Sequence, residues 1–189
     1  HPDVVNVIDE ELADEGFHVL RASGGGSSTK PSPPMQPGSA MSMVLIRGDM
    51  SIAGVGTVTW VDGDRFVAFG HPFKGLGQVH LPIGGAHIVW VLSSQMLSFK
   101  MGYPLRSSGV LDQDRQPCVA GRIGPKARMV PMQVTVVGKR TGTKRDWNVE
   151  LTDQPTFFPL ATAVVMANAL KASEPIVSDA VVDLELTYE

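Results

Sequence analysis

With 189 residues, 43% of them hydrophobic, the chain is long enough for one large domain or two small ones and can bury a core. Charged residues make up 19% and the net charge is −3, which leaves no basic footprint for nucleic acid; the densest cationic group, Lys139, Arg140, Lys144 and Arg145, straddles a Thr-Gly-Thr turn as a solvated hairpin end. The single cysteine, Cys118, excludes an internal disulfide and a CxxC metal site, and no stretch approaches the roughly 18 apolar residues of a membrane span.

Residues 1–22 read as an N-terminal arm: apolar Val4, Val5, Val7 and Ile8, then acidic EELADE, then FHVLRA, which has strand character. No basic-then-apolar signal pattern leads it, and the start on His1 favours a mature or cut piece of something longer over a cytosolic protein. Residues 23–37, SGGGSSTKPSPPMQP, are Gly/Ser-rich and then Pro-rich, a linker that gains nothing by packing. The main domain therefore spans 38–189. In it, SAMSMVLIRGD alternates, with Met41, Met43 and Leu45 on one face. SIAGVGTVTWV and DRFVAFG flank Asp62-Gly63, a hairpin turn signal. GQVHLPIG, AHIVWVLSS, MLSFKMG, SSGVLDQDR, CVAGRIG, MVPMQVTVVG and DWNVELT follow, each bounded by Gly, Pro or polar turns.

PLATAVVMANALKASEP has Ala, Leu, Val and Met at helical spacing and stops at Ser173-Glu174-Pro175, which predicts a helix over 159–172. Its stripe from Leu160 to Leu170 suits the cover of an open barrel end better than a partner interface. The tail IVSDAVVDLELTYE alternates Val182, Leu184 and Leu186 against Asp183, Glu185 and Thr187, a last strand with one wet face. Twenty glycines and 14 prolines agree with a turn-rich β protein. The fold class is mainly β, a barrel or sandwich with one C-terminal helix.

The stretch GTVTWVDGDRFVAFGHP, residues 56–72, is two strands, a tight turn and a histidine at the exit. His71 there is either a turn residue or a general base, since an imidazole titrates near neutrality. Three blocks, RGDMSIAGVGTVTWVDGDRFVAFGHPFKGLG, SSGVLDQDRQPCVAGRIG and PKARMVPMQV, follow in order over roughly residues 37–137. They resemble the SpoIVB peptidase family, serine peptidases whose histidine ends a Gly-His motif after a Gly-Thr-x-Thr strand.

The resemblance implies a trypsin-like β-barrel, a serine endopeptidase acting on protein or peptide substrates, and His71 as its base. It also implies a long exported bacterial protein, hence a periplasmic, cell-surface or secreted location. The family nucleophile sits in a Gly-Met-Ser-Gly-Ser-Pro type string, and none stands between His71 and Glu189. In one branch the serine segment lies upstream and a PGSA motif opens the histidine half; Pro37-Gly38-Ser39-Ala40 matches that motif. The chain thus looks like the histidine-bearing C-terminal half, partnered by an upstream serine-bearing segment or another protein chain.

A triad also needs a carboxylate to orient the imidazole. Asp112 and Asp114 in GVLDQDR, two apart on a strand and so facing one side, are the candidates; Asp114 beside Arg115 equally suits a surface ion pair. Asp62 and Asp64 are turn formers. Ser39, after a glycine at the head of a strand, is either a nucleophile candidate or simply the start of that strand; Ser107 and Ser108 are weaker. His80 and His87 have no Asp, Glu or Cys at ligand spacing, so no metal is expected. GLGQVHLPIGG lacks the Lys-Ser/Thr and helix of a phosphate loop, so no cofactor is expected either. The strand methionines read as core filler. The competing reading is a catalytically inactive peptidase-like β domain that serves as a binding or structural module.

Overall fold

Met41, Ser42, Met43, Val44, Leu45 and Ile46 are all buried, so β1 (Ala40–Gly48) is covered on both faces rather than on one. The computed structural model, which describes residues 2–13, 29–93, 95, 98–139, 141–173, 181–183, 185 and 187, gives the reason. β1 is the hub of an antiparallel sheet and pairs with three strands: β2 (Ile52–Asp62), β4 (Gly77–Leu92) and β8 (Lys144–Thr152). With β3 (Arg65–Ala68), β5 (Phe99–Arg115) and β6 (Cys118–Ile123), the pairings run β1–β2–β3–β6–β5–β4 and return to β1. Such a closed path removes exposed strand edges. Met41, Met43, Val58, Phe66, Ala68, Leu81, Ile83, Leu111 and Val119 fill the core. The mainly-β fold is as the strand spacing predicts.

Two local readings shift. In the β2–β3 hairpin Asp62 pairs with Arg65, so the loop is Gly63-Asp64, one residue later than expected. Gly63, at φ 57°, takes the first central position, as a type II′ turn requires. GQVHLPIG and AHIVWVL form one strand, and so do FKMG and SSGVLDQDR. The Gly84-Gly85 pair is a site of register shifts between β4 and β5, so it bends the ribbon instead of ending it. Beyond Gly85, where β4 leaves β1, the two strands continue as an outer arm.

β7 (Met129–Val137) pairs with β8, and β8 joins β1 through Ile46–Gly48 against Val149–Leu151. Arg47 forks onto Glu150 across that short seam, Nε to Oε2 at 2.7 Å and Nη2 to Oε1 at 3.0 Å. The helix expected near the C-terminus is α2 (Phe158–Ser173), burying Ala161, Val164, Val165 and Ala169. Phe157, Leu160, Ala161 and Val164 face Leu45, Ile46 and Ile52 across a gap of about 30 Å³.

The N-terminal arm contains a second helix, α1 (Pro2–Ala13), which the run of β-branched residues hides from propensity. Val4 and Ile8, one turn apart, are buried against the core, and Asp3 meets Lys171 of α2. The strand character of FHVLRA lies outside the described residues. Of the linker, residues 29–32 are fixed rather than idle: Arg106 N–H donates to the Lys30 carbonyl at 3.0 Å. Ser32 Oγ donates to the Arg106 carbonyl at 2.6 Å and accepts from Gly85 N–H at 2.7 Å. Residues 23–28 lie outside the described set. Of the expected last strand, the described residues 181–183, 185 and 187 carry no strand, and the others are not described.

Candidate functional site

The exit of β3 is where the backbone is most unusual. Phe69 has φ 71°, the one non-glycine residue with a positive φ among those described. Gly70 N–H donates to the Ala68 carbonyl at 2.9 Å, closing a three-residue γ-turn about Phe69. Gly70 follows at φ 76°. A γ-turn of this hand on a bulky residue is strained by about 1–3 kcal/mol and persists only where its surroundings fix it. They do. Phe69 N–H donates to the Thr57 carbonyl at 3.0 Å. The phenyl ring lies over Gly56, where an added Cβ would stand 2.0 Å from its Cε1. Gly56 therefore sits where β2 must be bare to make room for the ring.

His71 leaves this turn exposed to solvent, its ring 5.7 Å from that of Phe69. Nδ1 lies 2.7 Å from the Pro72 carbonyl. A carbonyl only accepts, so Nδ1 carries a proton in this contact, and in the neutral ring the lone pair is then on Nε2. That tautomer suits a base acting through Nε2, with a backbone carbonyl in the orienting position.

Asp114 is 1% exposed, and both oxygens are used on the loop after His71. Oδ1 accepts from Phe73 N–H at 2.7 Å; Oδ2 accepts from Lys74 N–H at 2.9 Å and Leu76 N–H at 3.1 Å. Asp114 thus holds the loop backbone instead of the imidazole, and it is no surface partner of Arg115, whose Nε goes to Gln113. Asp112 does not share its side. Leu111 pairs with Gly121 and Gln113 with Ala120, so Asp112 is the extra residue of a β-bulge and the alternation slips there. Asp112 forms a surface ion pair with Arg122 at 3.0 Å.

Ser39 belongs to a turn. Ser39 N–H donates to the Gln36 carbonyl at 2.9 Å, with Pro37 and Gly38 between them and Gly38 at φ 87°. Proline then glycine with a positive φ is a type II turn. The Ser39 hydroxyl accepts from Gln36 N–H at 3.1 Å, closing the same turn. β2 lies between β1 and β3, so the head of β1 and the exit of β3 are roughly 10 Å apart, two strand spacings. The structure brings His71 and Asp114 to one loop; Ser39 stands two strands away and Asp112 elsewhere on the sheet.

Phe69, Gly56 and the contact of Lys100 Nζ with Thr57 Oγ1 were missed by reasoning from sequence. A Gly-x-Gly strand facing a Phe-Gly exit was the available signal. Among the described residues no three of His, Cys, Asp and Glu gather to hold a metal. Nor is any helix among the described residues long and apolar enough to cross a membrane.

These features define a mainly-β protein whose β3 exit presents a histidine on a constrained loop. No protein-family model, no curated protein and no solved structure matches the chain.

Proposed function

We propose that the chain is the histidine-bearing half of a SpoIVB-like serine endopeptidase of the bacterial envelope, acting on protein or peptide substrates. His71 is the general base, and a separate upstream segment supplies the nucleophilic serine. The observation that carries this is the delivery of an exposed, Nδ1-protonated imidazole by a strained γ-turn and a loop pinned by Asp114. Strain maintained by surrounding contacts is a mark of sites that must hold one side chain in one place. In the reaction Nε2 takes the proton of the attacking hydroxyl and returns it to the leaving amine.

A second reading rests on Ser39. Its hydroxyl is engaged in its own turn, so the isolated chain acts as a binding or structural module without hydrolytic activity. A serine-directed fluorophosphonate probe separates the two. The 189-residue chain should stay unlabelled, at Ser39 and elsewhere. Expressed together with the residues encoded upstream of His1, it should label at an upstream serine, and His71→Ala should abolish that labelling while circular dichroism stays unchanged. Absence of labelling in the longer protein leaves the module reading; labelling that survives His71→Ala ends the role of His71 as base.

A further inference from the structure

At its bend the β4–β5 ribbon changes register in a way that leaves main-chain groups to be satisfied from outside. Gly84 pairs with Ser107 and Ala86 with Pro104, so Leu105 and Arg106 stand against Gly85 alone. The extra residue of such a bulge loses its place in the ladder. β6 gives no help, since its pairing with β5 ends at Gly109, opposite Ile123. The partners come from far along the chain. Arg106 N–H donates to the Lys30 carbonyl at 3.0 Å, and Arg106 Nη2 donates to the Thr29 carbonyl at 2.8 Å. Ser32 Oγ accepts from Gly85 N–H at 2.7 Å while donating to the Arg106 carbonyl at 2.6 Å. A hydroxyl is the side-chain group that donates and accepts at one atom. Gly85 is bare beneath this strap: an added Cβ would stand 3.1 Å from Pro33 Cδ and 3.4 Å from Ser32 Oγ.

The sequence of the strap suits this position. Lys30 and Ser32 each precede a proline, which presets both to extended backbone. Pro31 and Pro33 carry no N–H, so neither brings a donor that the bulge would have to satisfy. A segment stiffened in its bound form gives up little conformational freedom on docking. Such a segment has the properties of a recognised peptide rather than of an idle spacer.

We propose that the bulge is a peptide-binding notch for an extended Lys-Pro-Ser-Pro segment, and that residues 29–33 of the chain's own linker are its resident, displaceable ligand. Main-chain bonds supply the affinity and the serine hydroxyl the selectivity, the same division as in strand addition at a sheet edge. With the notch filled the bend is braced and the outer arm is held; release of the strap frees both. The notch is independent of the peptidase reading.

The test is nuclear magnetic resonance of the full chain, read at the Gly85 and Arg106 amides, in the parent and in the triple variant Pro31→Gly, Ser32→Ala, Pro33→Gly. The variant strap lacks its preset and its hydroxyl, and circular dichroism should be unchanged because Thr29, Lys30 and Pro33 are exposed. Hydrogen exchange at both amides should be about tenfold or more faster in the variant. The peptide Thr-Lys-Pro-Ser-Pro-Pro, added in trans, should bind the variant and move both amide signals toward their parental positions. It should leave the parent unmoved, because there the covalent strap competes at an effective concentration in the millimolar range. The same peptide with Ala in place of Ser should move neither protein. Unchanged exchange in the variant would overturn the proposal, as would no movement with the peptide at several millimolar or equal movement with its Ala form. A concentration-dependent dimer of the parent in sedimentation that the triple variant dissolves would also overturn it, by assigning the strap to the notch of a second copy.

Discussion

A phenyl ring in the left-handed backbone region costs about 1–3 kcal/mol, and at Phe69 the offset is local. The ring occupies the space above Gly56, and its amide is bonded to Thr57. Gly56→Ala should therefore displace the ring and destabilise the fold by about 1–3 kcal/mol, the usual range for overpacking. In a Phe69→Ala background the same change should cost far less, because the clashing atoms are gone. Urea denaturation of the four proteins of this cycle measures the coupling, and additive costs would show that the ring does not depend on Gly56. Asp114 holds three amides around the loop that follows His71. Asp114→Ala leaves these donors without their acceptor in a buried place, so a loss of about 3 kcal/mol or more is expected. Asp114→Asn keeps one acceptor oxygen and should lose less. Hydrogen exchange at Phe73, Lys74 and Leu76 reports the loop directly; unchanged protection in Asp114→Ala would disprove the pinning.

At the scale of elements, α1 is attached to the core through Val4 and Ile8. Ile8→Ala should cost about 2 kcal/mol, at the low end for buried aliphatic truncation because the helix lies at the margin and can settle. A change within ±0.5 kcal/mol would mean that α1 does not dock. This helix also shows where reading the sequence stopped. Pro2 at the first position and Asp3 in the first turn are start signals, yet Val4, Val5, Val7 and Ile8 speak for a strand, and only the tertiary contact decides between them. The strands and α2 were legible because alternation, turn residues and a glycine-free apolar stripe agree with one another. The site was half legible. Gly70-His71-Pro72 marks the hairpin exit, but the bulge at Asp112 depends on register with β6, which no local pattern carries. The same holds for Ser32, whose bonds reach Gly85 and Arg106 from far along the chain.

For the whole molecule, the two carboxylates whose proton affinity departs from the ordinary value among the described residues both lie on seams. Hydrogen bonding from Arg47 holds Glu150 below the usual 4.5, partly opposed by burial, and ties β8 to β1. Hydrogen bonding from Lys171 likewise holds Asp3 below 3.8 and ties α1 to α2. Each group binds its proton more weakly in the folded chain than in the unfolded one. The stability it contributes is therefore complete above its ordinary value and is lost as pH falls through the lowered folded value. Glu150 is partly exposed, so its share is about 1 kcal/mol or less. Acid should then loosen the periphery before the closed path of β1 to β6. Trp147 on β8 reports on the periphery, since its Nε1 donates to Ser173 Oγ at the end of α2 at 3.0 Å and its strand carries Glu150. With Trp60→Phe and Trp90→Phe to isolate that signal, the urea midpoint of Trp147 emission should fall between about pH 5 and pH 3. Far-UV circular dichroism should change less over the same interval. Arg47→Met removes the partner that lowers Glu150, so the acid-dependent part of the Trp147 shift should shrink. An identical pH dependence in Arg47→Met and the parent would show that the seam between β1 and β8 is not held by this pair.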